Sequence, residues 1–210
     1  MRIVDLSHFI ADNMPAYPGT ASAGIVNYRT VPADGYAEKQ LHLHTHTGTH
    51  VDSPAHLISA GITLDLLPPE KFMGKALLLN CSGLKVIDLQ FLKSYQDRIS
   101  KCEFVILATG WSEYWGHEKY FRDFPLLTPE AAQLLSAFNL KGVGVDSSSV
   151  DAVDSEAFPI HKILLSKNIL IIENLTDLNR LKTDEFTFYC FPLKIKQADG
   201  SPVRAVGIVG

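Results

Sequence analysis

The segment His46-Thr47-Gly48-Thr49-His50-Val51-Asp52-Ser53-Pro54-Ala55-His56 puts three histidines and one aspartate within eleven residues. Neutral imidazole and carboxylate together suit zinc, manganese or iron better than calcium or magnesium, which points to a transition-metal site and to hydrolytic rather than phosphate chemistry. The preceding residues 41–46 alternate apolar and polar side chains, the period of a half-buried strand with histidines on one face. That strand cannot run straight on, because at ~3.3 Å per residue the Cα atoms of His46 and His50 would lie ~13 Å apart. Two imidazoles on one metal must each bring a nitrogen to ~2.0–2.1 Å from it. The chain therefore has to bend between them. Gly48 permits the bend, and Thr47 and Thr49 can hydrogen-bond the turned backbone. Asp52 then joins His46 and His50 as a third ligand. Pro54 stiffens the exit and leaves His56 beside the cluster as a proton-transfer group active near neutral pH. Three protein ligands leave a position open for water, whose pKa falls towards ~7 on the metal. With His56 as general acid to a leaving nitrogen or oxygen, this describes hydrolysis of an amide or ester. His42, His44, His8 and His117 read instead as surface or structural histidines.

Elements able to hold such a cluster follow from hydrophobic periodicity. Residues 3–6, 76–79, 104–108, 143–145, 169–172, 186–191 and 203–209 read as strands. Residues 89–99, 129–138 and 158–165 read as helices, the second announced by Thr128 as N-cap, Pro129 at the first helical position and Glu130 in the first turn. The first sixty residues look extended, without a clear helix, and Pro68-Pro69 and Ala198-Asp199-Gly200-Ser201 read as turns. Strand and helix alternate through the second half, which predicts an α/β fold: a mixed β-sheet with flanking helices. No repeat or flexible linker divides residues 1–210, so one domain is expected.

Composition narrows the function classes. The chain has 210 residues, 46% of them hydrophobic and 20% charged, with a formal net charge of -4. That is a globular balance with no electrostatic invitation to nucleic acid. Cys81, Cys102 and Cys190 are odd in number, far apart and set in apolar runs, so buried reduced thiols are expected. Asp5 interrupts any signal-peptide apolar region, and no run reaches the ~18 apolar residues of a membrane span, which makes the cytoplasm the expected compartment, with no membrane partner.

The cluster resembles the metal-binding signature of the cyclase family, which includes the bacterial kynurenine formamidases, written His-x-Gly-Thr-His-x-Asp-x-Pro-x-His; residues 46–56 meet every fixed position. The resemblance extends through Asp5-Leu6-Ser7-His8, Tyr17-Pro18-Gly19, Thr109-Gly110-Trp111, Gly144-Val145-Asp146, Ser149-Val150-Asp151, His161 and Ile172-Glu173-Asn174-Leu175. It implies that His46 and His50 bind one metal, that Asp52 and Glu173 bridge two, that His161 completes the second, and that His56 gives and takes the proton. It further implies a swivelling β/β/α-type domain, one or two divalent ions, zinc with manganese as the alternative, and a homodimer or homotetramer in which Phe9 and the loop to Tyr17 border a pocket shared between subunits. The activity implied is hydrolysis of a small-molecule amide, N-formylkynurenine to kynurenine and formate. Another amide, a lactone or a cyclic substrate is the alternative, followed by a non-catalytic metal-binding protein on the same scaffold. The kynurenine formamidases carry tryptophan where this chain has Tyr17. Here Tyr17 either contacts substrate, favouring a smaller or more polar one, or packs beside Pro15 and Pro18.

Overall fold

Short runs rich in β-branched residues fill the middle of a sheet covered on both faces, and such runs build the centre of this molecule. The computed structural model describes all 210 residues. Its strands are β1 Arg2–Asp5, β2 Gly24–Arg29, β3 Glu38–His42, β4 His50–Asp52, β5 Met73–Asn80, β6 Val86–Ile87, β7 Phe104–Ala108, β8 Leu126–Leu127, β9 Gly142–Val145, β10 Leu170–Glu173, β11 Glu185–Tyr189, β12 Gly200–Pro202 and β13 Val206–Val209. The helices are α1 Val31–Asp34, α2 Leu89–Lys93, α3 Gln96–Ile99, α4 Pro129–Ser136 and α5 Pro159–Leu165. Nine strands form one mixed sheet in the order β1-β13-β11-β5-β7-β9-β10-β4-β12. Its central pairs β5/β7, β7/β9 and β9/β10 are parallel, and the flanking pairs are antiparallel. The expected mixed sheet with flanking helices is what forms.

The two-residue period of each central strand sorts its side chains into two cores. Val105, Leu107, Val143, Val145 and Ile171 pack with Leu92, Ala131, Leu135 and Leu164 of the helices. Phe104, Ile106, Leu170 and Ile172 pack with Val4, Leu6, Val51 and Phe188 on the opposite face. Gly142 and Gly144 alternate with the two valines of β9, and a Cβ at either would fall within 3 Å of Phe104 or Ile106. Bare backbone lets the sheet curl there.

Several sequence expectations shift. Residues 41–46 do not form one strand: β3 stops at His42, His42 and His44 are exposed, and His46 sits in a turn. The predicted helix over residues 89–99 is broken into α2 and α3, with Tyr95 at φ -112°, ψ 4° between them. Pro68-Pro69 opens a 3-10 turn rather than a simple reversal, and Gly200 and Ser201 belong to β12. The run 203–209 is strand only from Val206. Residues 31–34 make the one-turn α1, too short to leave a periodic signal. No helix is long and apolar enough to cross a membrane.

Candidate metal centre

β4 carries the central part of the site. Its alternation sends Val51 into the sheet core and leaves His50 and Asp52 on the other side, buried to 3% and 1% exposure. Antiparallel pairing sets His50 opposite Glu173 at the end of β10, and on its other edge Asp52 stands opposite Gly200 of β12. Gly48 bends the approach, with φ +62°. Its carbonyl accepts from His50 Nδ1 at 2.8 Å and from Asn174 Nδ2 at 2.9 Å, so His50 presents Nε2 inward. Thr47 Oγ1 accepts from the His44 amide, and Thr49 Oγ1 donates to the Asn174 carbonyl while accepting from the His8 amide. The glycine hinge is therefore present, stapled locally by Thr47, while Thr49 ties it to the segments at His8 and Asn174 rather than to the turned backbone.

Asp52 has imidazoles on both sides. Its Oδ1 lies 2.7 Å from His46 Nδ1 and 3.3 Å from His50 Nε2, and its Oδ2 lies 3.7 Å from His161 Nε2. Glu173 repeats the division, with Oε2 3.5 Å from His50 Nε2 and Oε1 3.4 Å from His161 Nε2. Despite these approaches both Asp52 oxygens are buried without a well-aligned hydrogen bond, so the nitrogens surround the carboxylate without donating along their N–H axes. A buried carboxylate left in that state is costly, and an ion shared among the same atoms removes the cost. His161 is held by Asp151, whose Oδ2 accepts from both Nδ1 at 2.8 Å and the His161 amide at 3.0 Å, an outer-carboxylate arrangement that aims Nε2 inward. The ligand atoms of His46, His50 and Asp52 lie within 4.8 Å of one another, as do those of Asp52, His56 and His161. The donor set fits one or two divalent transition ions.

Electrostatics follow the burial. Burial works against the imidazolium of His46, but Asp52 and Asp199 outweigh it and lift its pKa to about 9. Burial opposes protonation of His161 too, and its bond to Asp151 with the nearby carboxylates of Asp52 and Glu173 carries it well above the usual range. Burial would raise Asp52, yet the charges of His46 and His50 hold it well below the normal carboxylate value. His56 goes the other way: burial, helped by the positive charges of His46 and His161, lowers it against the pull of Asp52.

The cluster floors a cavity of about 240 Å³ whose walls include Met14, Tyr17, Trp115, Phe121 and Phe158. Tyr17 donates its hydroxyl to the Val153 carbonyl at 3.2 Å, which satisfies the polar end and leaves the ring to line the cavity. Phe158 holds φ +47°, a conformation rare for a bulky residue and one found at ligand-binding positions, and its ring stands edge-on to His161. His8 stacks on Trp115 with ring centroids 3.8 Å apart, and burial lowers its pKa to about 4. It supports the wall from behind, a structural role. His117 is exposed. Burial pushes the Cys81 thiol to about 12 and Cys102 to about 11, and all three cysteines are free, so none is a poised nucleophile.

Thus His46, His50, Asp52, His56, His161 and Glu173 meet in one place, and Tyr17 lies in the same cavity. Sequence reasoning passed over Asp151, Asn174 and Asp199 as contributors. Asn174, at φ +57°, follows Glu173 and ties Gly48 to the Tyr120 hydroxyl, which donates to its Oδ1 at 2.8 Å. Replacing Asn174 with alanine leaves that buried hydroxyl only the Asp146 carbonyl, 3.5 Å away, as acceptor, at a cost of about 1–3 kcal/mol. Alanine in the left-handed region adds roughly 1 kcal/mol. Urea unfolding of Asn174→Ala should show a loss of that order.

Known proteins place the chain. The sequence pattern of a family described as putative cyclase matches residues 4–152. An uncharacterized protein of Methanocaldococcus jannaschii is 31% identical over the whole of both chains. A kynurenine formamidase of Bacillus cereus is 29% identical, covering 97% of this chain and 95% of that one. The solved structure of isatin hydrolase A from Ralstonia solanacearum superposes with a TM-score of 0.88 at 25% identity, covering 100% of this chain and 92% of that one. A family match across most of the sequence, joined to an end-to-end relative, makes this protein a member of the cyclase family.

Proposed function

We propose that this chain is a metal-dependent hydrolase that cleaves the amide C–N bond of a small aromatic substrate, with N-formylkynurenine the first candidate and a cyclic amide such as isatin the second. The observation that carries the reading is Asp52, a buried carboxylate whose two oxygens lack aligned hydrogen bonds while imidazole nitrogens flank each of them. His46, His50, Asp52, His161 and Glu173 would hold one or two divalent ions, zinc before manganese, because three imidazoles and two carboxylates match those metals. Bound there, a divalent ion supplies Lewis acidity that polarises a carbonyl oxygen and acidifies water.

The chain's own groups do the rest. His56 stands beside the ligand cluster, its ring centroid 4.1 Å from that of His46, close enough to take a proton from attacking water and return it to the leaving nitrogen as the C–N bond breaks. A carboxylic acid and a free amine result, and the acid ionises by releasing its proton to solvent. Burial favours the neutral form of the His56 imidazole, which can accept the proton from water. Trp115, Phe121 and Phe158 exclude bulk water and give an aromatic ring a surface to stack on. A purely structural metal site would gain nothing from His56.

The β2–β3 hairpin supports self-association as well. It pairs only with itself, α1 at its tip buries no residue, and Val26, Tyr28, Val31, Tyr36 and Leu41 are all more than half exposed. An isolated two-stranded hairpin is marginal in water, and Val26 on one face and Leu41, paired with Ile25, on the other give it apolar surface for a second copy to cover. Phe9, on the N-terminal loop, is likewise 90% exposed.

One preparation tests these points together. Metal content per chain and light scattering come first, then hydrolysis of N-formylkynurenine, isatin and unrelated amides before and after chelation. We expect bound metal, a dimer or tetramer, and turnover that chelation abolishes and zinc or manganese restores. Turnover that survives exhaustive chelation would overturn the metal-dependent reading.

A further inference from the structure

We propose that Asp199 is a positioning residue of this centre, taking the outer N–H of both His46 and His56 on one oxygen and thereby deciding which nitrogen each imidazole turns inward. The proposal rests on the ligand and proton-transfer roles assigned above.

Asp199 Oδ2 lies 2.9 Å from His46 Nε2 and 3.4 Å from His56 Nδ1. The other nitrogen of His46, Nδ1, is the one 2.7 Å from Asp52 Oδ1. For Nδ1 to offer a lone pair to an ion, the proton of neutral His46 must sit on Nε2, and Asp199 is the acceptor that keeps it there. The same oxygen accepts from His56 Nδ1, which leaves His56 Nε2 as the nitrogen free to move a proton. Asp199 therefore plays for His46 the part that Asp151 plays for His161 and the Gly48 carbonyl plays for His50.

The backbone is built to hold this carboxylate in place. The Asp199 carbonyl accepts from the Ser53 amide at 2.8 Å and the Ser53 hydroxyl at 2.9 Å, tying it to the residue that follows Asp52. Next to it, Gly200 removes a side chain that would collide with His46, since a Cβ there would lie 2.6 Å from His46 Cε1. The imidazole can lie over β12 and reach both aspartates only because that position is bare.

Asp199→Asn and Asp199→Ala test this, with circular dichroism checking the fold. Three readouts go beyond activity of the loaded enzyme. In long-range nitrogen–proton NMR of the zinc-loaded wild type, His46 should appear protonated on Nε2 and His56 on Nδ1, and in Asp199→Ala the His56 signal should shift towards the other tautomer. Zinc affinity, measured by competition with a chromophoric chelator, should weaken about 10–100-fold in Asp199→Ala and less in Asp199→Asn, which keeps one acceptor oxygen. In hydrolysis kcat should fall more than KM rises. A wild-type His56 protonated on Nε2, or zinc affinity of both variants within twofold of wild type, overturns the proposal. Should Asp199→Ala fail to fold, the wild-type tautomers and the isosteric asparagine variant still decide. Absence of hydrolysis by the wild type would count against the amidase reading alone, because tautomer and affinity are read without substrate.

Discussion

Replacing His56 with alanine should lower kcat on the best amide substrate by about 10²–10⁴-fold, the usual worth of a positioned general acid–base group. Metal content and melting temperature should stay near the wild-type values. His56 is partly exposed in a 3-10 turn at Pro54–His56, its loss opens no core cavity, and the five groups assigned to the metal remain. Metal analysis beside steady-state kinetics separates the outcomes. Wild-type turnover would remove His56 from the reaction, and a parallel loss of metal would make it a ligand, a role its place within 4.8 Å of Asp52 and His161 makes worth checking.

Asp52→Ala should be more disruptive. The carboxylate is 1% exposed and stands between His46, His50 and His161, so its removal takes away a ligand and the buried counter-charge that favours the protonated imidazoles of His46 and His161. Breaking a buried charge pair by deleting one partner costs about 3–5 kcal/mol. The lower part of that range is expected here, since the histidines can shed protons. For a chain of this size that is a fall in melting temperature of roughly 6–12 °C. The purified variant should carry no metal through gel filtration and show no hydrolysis above the uncatalysed rate. Calorimetry with metal analysis checks both. Full metal occupancy in Asp52→Ala would place the ion elsewhere.

Legibility followed the range of the interactions. The eleven residues from His46 to His56 could be read because local geometry dominates them: a two-residue period on β4, a glycine able to take φ +62°, and Thr47 within reach of the turned backbone. The central parallel strands could be read because burial on both faces demands unbroken apolar runs, and residues 104–108 match β7 end to end. The edge strand β12 gave no such signal. β12 is three residues long, and its Asp199-Gly200 junction has the composition of a turn, so nothing local said that it pairs with β4. His161 and Glu173 entered through the family resemblance, not through any periodicity.

By itself, then, the sequence determined the chemistry on offer: imidazoles and a carboxylate gathered around a flexible glycine, inside a chain with enough apolar residues to build a mixed sheet around them. Only the tertiary structure decided the orientation of each imidazole. Residues 120 or more positions away along the chain supply Asp199 to His46 and His56, and Asn174 to the hinge beside His50, while Asp151 faces His161 from ten positions before it. Which ring nitrogen carries the proton depends on where an acceptor stands in space, and spacing along a chain says nothing of that until the strands have paired.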